Sequence, residues 1–226
     1  MIFLGDYFYN VTKCVAVVVE YTNKNNIVVE FNDDPNQRIT TTARALVSGR
    51  FRNPYYRRAG EQGYTGVGDF NISEKGNLTA VYKDWVKLFD NKVDPEWHNF
   101  QNFAQWRTTQ PGHEEGWVLN KDLLYPGNRV YSPVACMLIP KQFDSILSYE
   151  NKSKNKLPPG VSRCGKKYQV HFMALRTPGV FETPEEAFQD YKSKKEAFIK
   201  ELVETKYMFM LPGKTRNALL AYRVVR

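Results

Sequence analysis

Four residues near the end of the chain, Thr183-Pro184-Glu185-Glu186, constrain its fold more than any other feature. Threonine followed three positions later by glutamate is a capping box, and proline suits the first helical position, where an N–H has no intrahelical partner. A helix is therefore expected from Pro184. Phe188, Tyr191, Phe198 and Leu202 recur along one stripe of it, so that face must be covered. Upstream, Tyr168, Val170 and Phe172 alternate with Gln169, His171 and Met173, the period of a half-buried strand. Gly160-Val161-Ser162-Arg163-Cys164 reads as the strand before it, and Thr177-Pro178-Gly179 as the turn after it, into a strand at Phe181. Residues 159–206 are thus expected to form a three-stranded antiparallel sheet packed on one helix. Ser162, Cys164, Gln169, His171 and Met173 should share its uncovered face.

Charge concentrates in the same part of the chain. The 226 residues carry 32 Lys+Arg and 24 Asp+Glu, a formal net charge of +8. Asn151 to Arg226 holds 16 of the basic and 7 of the acidic residues, or +9, leaving 16 and 17, or −1, for the first 150. A near-neutral body with a basic end predicts a polyanionic partner for that end, although a basic surface also serves solubility. Residues 149–158, with Lys152, Lys154 and Lys156 set among small polar residues, read as a basic linker. An arm that follows phosphates fits the same composition.

Residues 1–70 carry strand patterns. Cys14–Tyr21 and Ile27–Phe31 are β-branched runs joined by an Asn-rich turn, and Thr40-Thr41-Thr42 suits a further strand leading into Arg44–Val47. Glycines 49, 60, 63, 66 and 68 then punctuate a stretch too loose for a helix. A small β-barrel is the expectation. Within 73–148 the period becomes helical: Val81, Trp85 and Leu88 share a stripe, and Asp94-Pro95-Glu96 begins a helix that runs on through Trp106, burying Trp97, Phe100, Phe103 and Ala104. Strands are expected at Trp117–Leu119 and Met137–Pro140, with a turn at Pro126-Gly127-Asn128. The fold class that results is α+β and multi-domain, closed by a tail, 207–226, apolar enough to dock on another domain or subunit. Cys14, Cys136 and Cys164 are odd in number and lack metal-ligand spacing, which suits free thiols in a reducing compartment. With no signal-like start and no run of about 20 apolar residues, the expected location is the cytoplasm, without a membrane partner.

Gly160-Val161, Lys167-Tyr168 and Phe181-x-Thr183-x-Glu185-Glu186-Ala187 leading to Tyr191 resemble the Apetala/ethylene-response-factor DNA-binding domain and its relatives in mobile endonucleases. The resemblance implies that the sheet face enters the major groove of double-stranded DNA. Strand-one arginines of that family read guanines, whereas Ser162 and Cys164 occupy the equivalent positions here. Specificity is then expected from Gln169 and His171, with Arg163, Lys166, Lys167, Met173 and Arg176 nearby. Glutamine suits adenine edges, and lysines suit phosphates.

A second string, Trp97-x-x-Phe100-x-x-Phe103-x-x-Trp106 followed by Trp117-x-Leu119-x-Lys121-Asp122 and Gly127-Asn128-x-x-Tyr131-Ser132-Pro133-x-x-Cys136-x-x-Ile139-Pro140, resembles phage proteins related to HNH homing endonucleases. That chemistry needs a histidine base at the end of the first strand and a divalent metal on histidine or acid ligands. Here the strand ends Val118-Leu119-Asn120-Lys121-Asp122, so the module reads as degenerate. Asp122, Asn128 and a displaced His113 are the residues a nuclease would have to use, with magnesium. In the non-catalytic reading no cofactor is expected; Asn128 shapes a turn and Asp122 caps or pairs locally.

Together the resemblances imply a sequence-specific DNA-binding protein derived from a homing endonuclease, a repressor acting by operator occupancy in a phage or phage satellite, located in the bacterial host cytoplasm. The alternative is a metal-dependent HNH-type homing or nicking endonuclease. A third reading makes residues 1–70 a protein-interaction barrel; self-association or a protein partner, through that barrel or the tail, is left open.

Overall fold

Alternation between buried and outward side chains organises the start of the chain, as seen in a computed structural model that describes residues 1–32, 34–57, 59–148, 157–172 and 179–225. Strands β1 (Tyr7–Tyr9), β2 (Val15–Asn23), β3 (Asn26–Phe31) and β4 (Asp34–Thr41) pair antiparallel in sequential order. Ala16, Val18, Ile27, Val29 and Phe31 point to one side, where Leu46 of helix α1 (Ala43–Val47), Cys14 and Phe51 complete a core. The expected strands are there, with β1 in addition. Their arrangement is a meander, and among the described residues no pairing of β1 with β4 closes it into the expected barrel.

The chain divides into two compact units, and the first, residues 1–89 with 98–101, is larger than a 1–70 domain. After the short hairpin β5 (Ser73–Glu74) and β6 (Asn77–Leu78), helix α2 (Ala80–Leu88) starts on a Thr79 cap and buries Trp85 and Leu88. The glycine-rich stretch has a job here. A Cβ at Gly63 would lie 2.6 Å from the Phe89 ring, and one at Gly66 would lie 2.1 Å from the Asn99 amide. Gln101 then ties the loop down, accepting from Phe70 N at 3.0 Å and donating to Thr65 O at 3.2 Å and Phe70 O at 3.0 Å. The helix expected to run from Pro95 through Trp106 is two pieces. A 3-10 turn covers Pro95–His98, and α3 (Phe100–Thr109) begins after Asn99, whose Oδ1 accepts from Gln101 N. The four side chains expected on its buried face are buried.

The second unit comprises residues 90–97 and 102–226. Within it β7 (Lys92–Val93) pairs parallel with β9 (Val130–Tyr131), and β8 (Val118–Asn120) antiparallel with β10 (Met137–Ile139), which leads into α4 (Lys141–Leu147). The three-stranded sheet has the order β11 (Val161–Cys164), β12 (Lys167–Val170), β13 (Val180–Phe181). Helix α5 (Pro184–Glu204) packs on it, and α6 (Gly213–Ala221) packs on α5. One continuous core joins Trp117, Leu138, Ile139 and Phe143 to Val161, Val170 and Tyr191, and on to Tyr207, Leu211, Leu219 and Val224. The segment expected as a tail is therefore part of the fold. Among the described residues no helix is long and apolar enough to cross a membrane.

Candidate nucleic-acid interface

The C-terminal sheet takes its shape from α5. Thr183 Oγ1 accepts from Glu186 N while Glu186 Oε2 accepts from Thr183 N, each at 3.2 Å, so the capping box is formed as the sequence requires. Ala187, Phe188, Tyr191, Ile199, Leu202 and Val203 are buried beneath the sheet and α6. Gly160 allows the close approach. It sits at φ +72°, and a Cβ there would lie 2.2 Å from the buried Tyr191 ring.

Strand register assigns every side chain to a face. Val161 opposes Val170, and Arg163 opposes Tyr168, which opposes Phe181; all lie on the α5 side. The other face carries Ser162, Gln169 and Val180 in one row across three strands, and Cys164 with Lys167 in the next. His171 lies beyond Gln169 on that same face, its N–H donating to Gly160 O at 2.7 Å. These six side chains are half-exposed or exposed. Of the expected DNA-contacting residues on these strands, Arg163 falls on the α5 face instead, at its rim, with its guanidinium 5.8 Å from the Tyr168 ring centroid.

Three local interactions set what this face can present. Ser162 Oγ and His171 Nε2 are 2.5 Å apart, so the two side chains act as a pair. Lys167 is ion-paired with Glu182, and the hydrogen bond to that carboxylate raises the ammonium pKa. Lys166, in the hairpin turn, is exposed and has no ion pair among the described residues. Met173, Arg176, Lys152, Lys154 and Lys156 lie outside the described residues. Val180 belongs to this outer row as well, although the strand expected at Phe181 does not include it. Alternation back from that core residue would have placed its neighbour outward, where it is 51 % exposed.

The nuclease-like residues are committed elsewhere. Asp122 receives the Lys121 ammonium on both oxygens at 2.8 Å. The Asn128 amide donates to Lys121 O and Val130 O and accepts from Val130 N, which closes the 121–130 loop. His113 Nδ1 lies 3.0 Å from an Arg107 Nη1; a guanidinium only donates, so that nitrogen accepts and its lone pair is occupied. Arg107 also donates to Trp117 O at 2.8 Å. Asp122, Asn128 and His113 thus do not fit a magnesium site: one carboxylate is paired, the amide oxygen caps a turn, and the imidazole faces a cation. Close by, burial pushes the Cys136 thiol up to about 12 and raises Tyr131 as well, so neither supplies an anion near neutrality. A cleft of about 790 Å³ lined by Asn120–Leu123, Tyr191, Lys195 and Tyr222–Val225 lies away from the outer sheet row. No family model matches the chain, and no curated protein or solved structure is detectably similar to it.

Proposed function

We propose that the protein is a sequence-specific double-stranded DNA-binding protein that acts by occupancy, as a repressor does, with the outer face of the β11–β12–β13 sheet laid in the major groove. The observation that carries this reading is a sheet that, among the described residues, is covered on one side only. Its open side holds Ser162, Gln169, His171 and Val180 in register, in the part of the chain that carries +9. A two- or three-stranded ribbon is narrow enough for the major groove, and polar side chains at alternate positions reach base edges. Exposed lysines supply the sequence-independent phosphate attraction. A homing-endonuclease ancestry and a phage or phage-satellite setting belong to the same proposal and are supported by the sequence resemblances. The commitment of Asp122, Asn128 and His113 to local structure favours binding without cleavage.

The test separates positioning from reading. Binding-site selection followed by footprinting on the full chain is expected to return one preferred duplex. On that duplex Lys166→Ala should weaken binding to specific and random DNA alike and flatten the salt slope by about one. Gln169→Ala should lower only the preference, by about tenfold at one base pair. Glu182→Gln should act in the opposite sense to Lys166→Ala, because it releases the Lys167 ammonium for phosphate. Failure of selection to enrich any sequence, or identical behaviour of the lysine and glutamine variants, rejects the sheet-face reading.

A further inference from the structure

We infer that Gln169 and Val180 together read a single A·T base pair, Gln169 contacting the adenine and Val180 the 5-methyl group of its thymine. This rests on the proposed major-groove docking and adds the identity of one base pair and a residue that reads it.

Register makes Gln169 and Val180 direct cross-strand neighbours on the open face. Opposed side chains on antiparallel strands have Cβ atoms about 4.5–5.5 Å apart, the scale of one base-pair edge. Val180 is the departure from pattern in this row. It is aliphatic, 51 % exposed, and on the face away from α5, where no core contact among the described residues explains it. The Gln169 side chain is half-exposed, and among the described residues no hydrogen bond holds its amide. The third member of the row, Ser162, has its hydroxyl taken by His171, so it orients that ring instead of reaching outward.

The major-groove edges of the four base-pair arrangements can be compared with this row. Adenine offers an N7 acceptor beside an N6 donor, which match the donor and acceptor of one carboxamide. Its thymine carries the only methyl group among the four bases, which suits an aliphatic side chain. A G·C pair offers two acceptors to Gln169 and no methyl to Val180. Amide and valine side by side therefore complement A·T and no other pair.

The test uses the full chain and its selected duplex. Each thymine is replaced singly by deoxyuridine, which removes only the methyl, and each adenine by 7-deazaadenine, which removes only N7. In the unaltered protein one uridine position is expected to weaken binding about three- to fivefold, the effect of one buried methyl-sized group. With Val180→Ala that position should show no further loss, while other positions keep their wild-type sensitivity. The 7-deazaadenine loss abolished by Gln169→Ala should fall on the adenine paired with that thymine. An unchanged thermal melt of Val180→Ala, an outward substitution, shows that the fold is retained. Uridine sensitivity that persists in Val180→Ala, or coupled positions in different base pairs, overturns the inference while leaving DNA reading intact. Absence of any preferred duplex overturns both.

Discussion

At the scale of single residues, Asn120 sits where only an amide satisfies both neighbours. Its Oδ1 accepts from Asp122 N at 3.0 Å and Leu123 N at 2.8 Å, and its Nδ2 donates to Asp144 Oδ1 at 3.0 Å. The residue is 6 % exposed, so neither half can turn to water. Asn120→Asp keeps the accepting half and sets a second carboxylate oxygen against Asp144. Burying that repulsion should cost about 1–3 kcal/mol at neutral pH, read from urea unfolding. The sign of its pH dependence is fixed by the pair. A carboxyl whose folded pKa is raised by a like charge destabilises only when ionised. The deficit relative to wild type should therefore shrink as pH falls through the carboxylate range and be full at neutral pH. A deficit independent of pH would mean that the loss is one of packing and not of charge. The sequence set Asn120 beside an expected strand end but could not show that Asp144, 24 positions later, was its partner. That pairing depends on β8 and β10 bringing α4 alongside.

Among the elements, those with a local cause were legible and those with a remote cause were not. Helix α5 announced itself because capping box, first-position proline and apolar stripe all lie within its own residues, and its start at Pro184 follows. The extent of its burial did not. Lys195 counts as a cation in the sequence, yet it is 1 % exposed, donating to Tyr191 Oη at 3.2 Å and lying beside the Tyr222 ring. That environment is assembled from remote pieces: the Leu147 carbonyl at the end of α4 also faces the ammonium, and Tyr222 reaches it because α6 packs back on α5. The break between the Pro95–His98 turn and α3 was likewise hidden, since Asn99 supplies a cap in the middle of an unbroken helical pattern. The local origin of the α5 start gives a clean prediction. Thr183→Ala removes the hydroxyl that accepts from Glu186 N, leaving the backbone half of the capping box in place, and should lower stability by about 1 kcal/mol. Thr183→Ser, which keeps the hydroxyl, should restore most of it in the same denaturation experiment. Thr183 precedes α5 on the sheet's rim and not in its outer row, so DNA preference should not move with it.

For the whole molecule, the sequence suggested a string of modules with an autonomous C-terminal piece, because composition and charge change near residue 150. The second unit follows neither change. Residues on both sides of 150 share one core, and residues 98–101 belong to the first unit while their flanks belong to the second. Interleaving of this kind leaves no mark on composition, because it concerns which apolar surfaces meet and not where apolar residues occur. Its consequence falls on the segment that the sequence marks only as an apolar tail able to dock on another domain or subunit. Tyr207, Leu211, Leu219 and Val224 are each at most 8 % exposed and belong to the same core as Phe143 and Tyr191. Full burial of one such side chain contributes about 1.5–3 kcal/mol. Losing four approaches or exceeds the roughly 5–15 kcal/mol by which a domain is stable. A chain ending at Lys206 should therefore lose the second unit's fold, and with it the outer sheet row, although no residue of that row has been removed. Hydrogen exchange is the measurement, because it reports the units separately. Amides of β8, β10 and β12 should lose protection. Those of β2 and β3 should keep it, since the core of the four-stranded sheet shares no member with the one that was cut. Retained protection in β12 would show instead that the three-stranded sheet and α5 hold together without the segment folded over them.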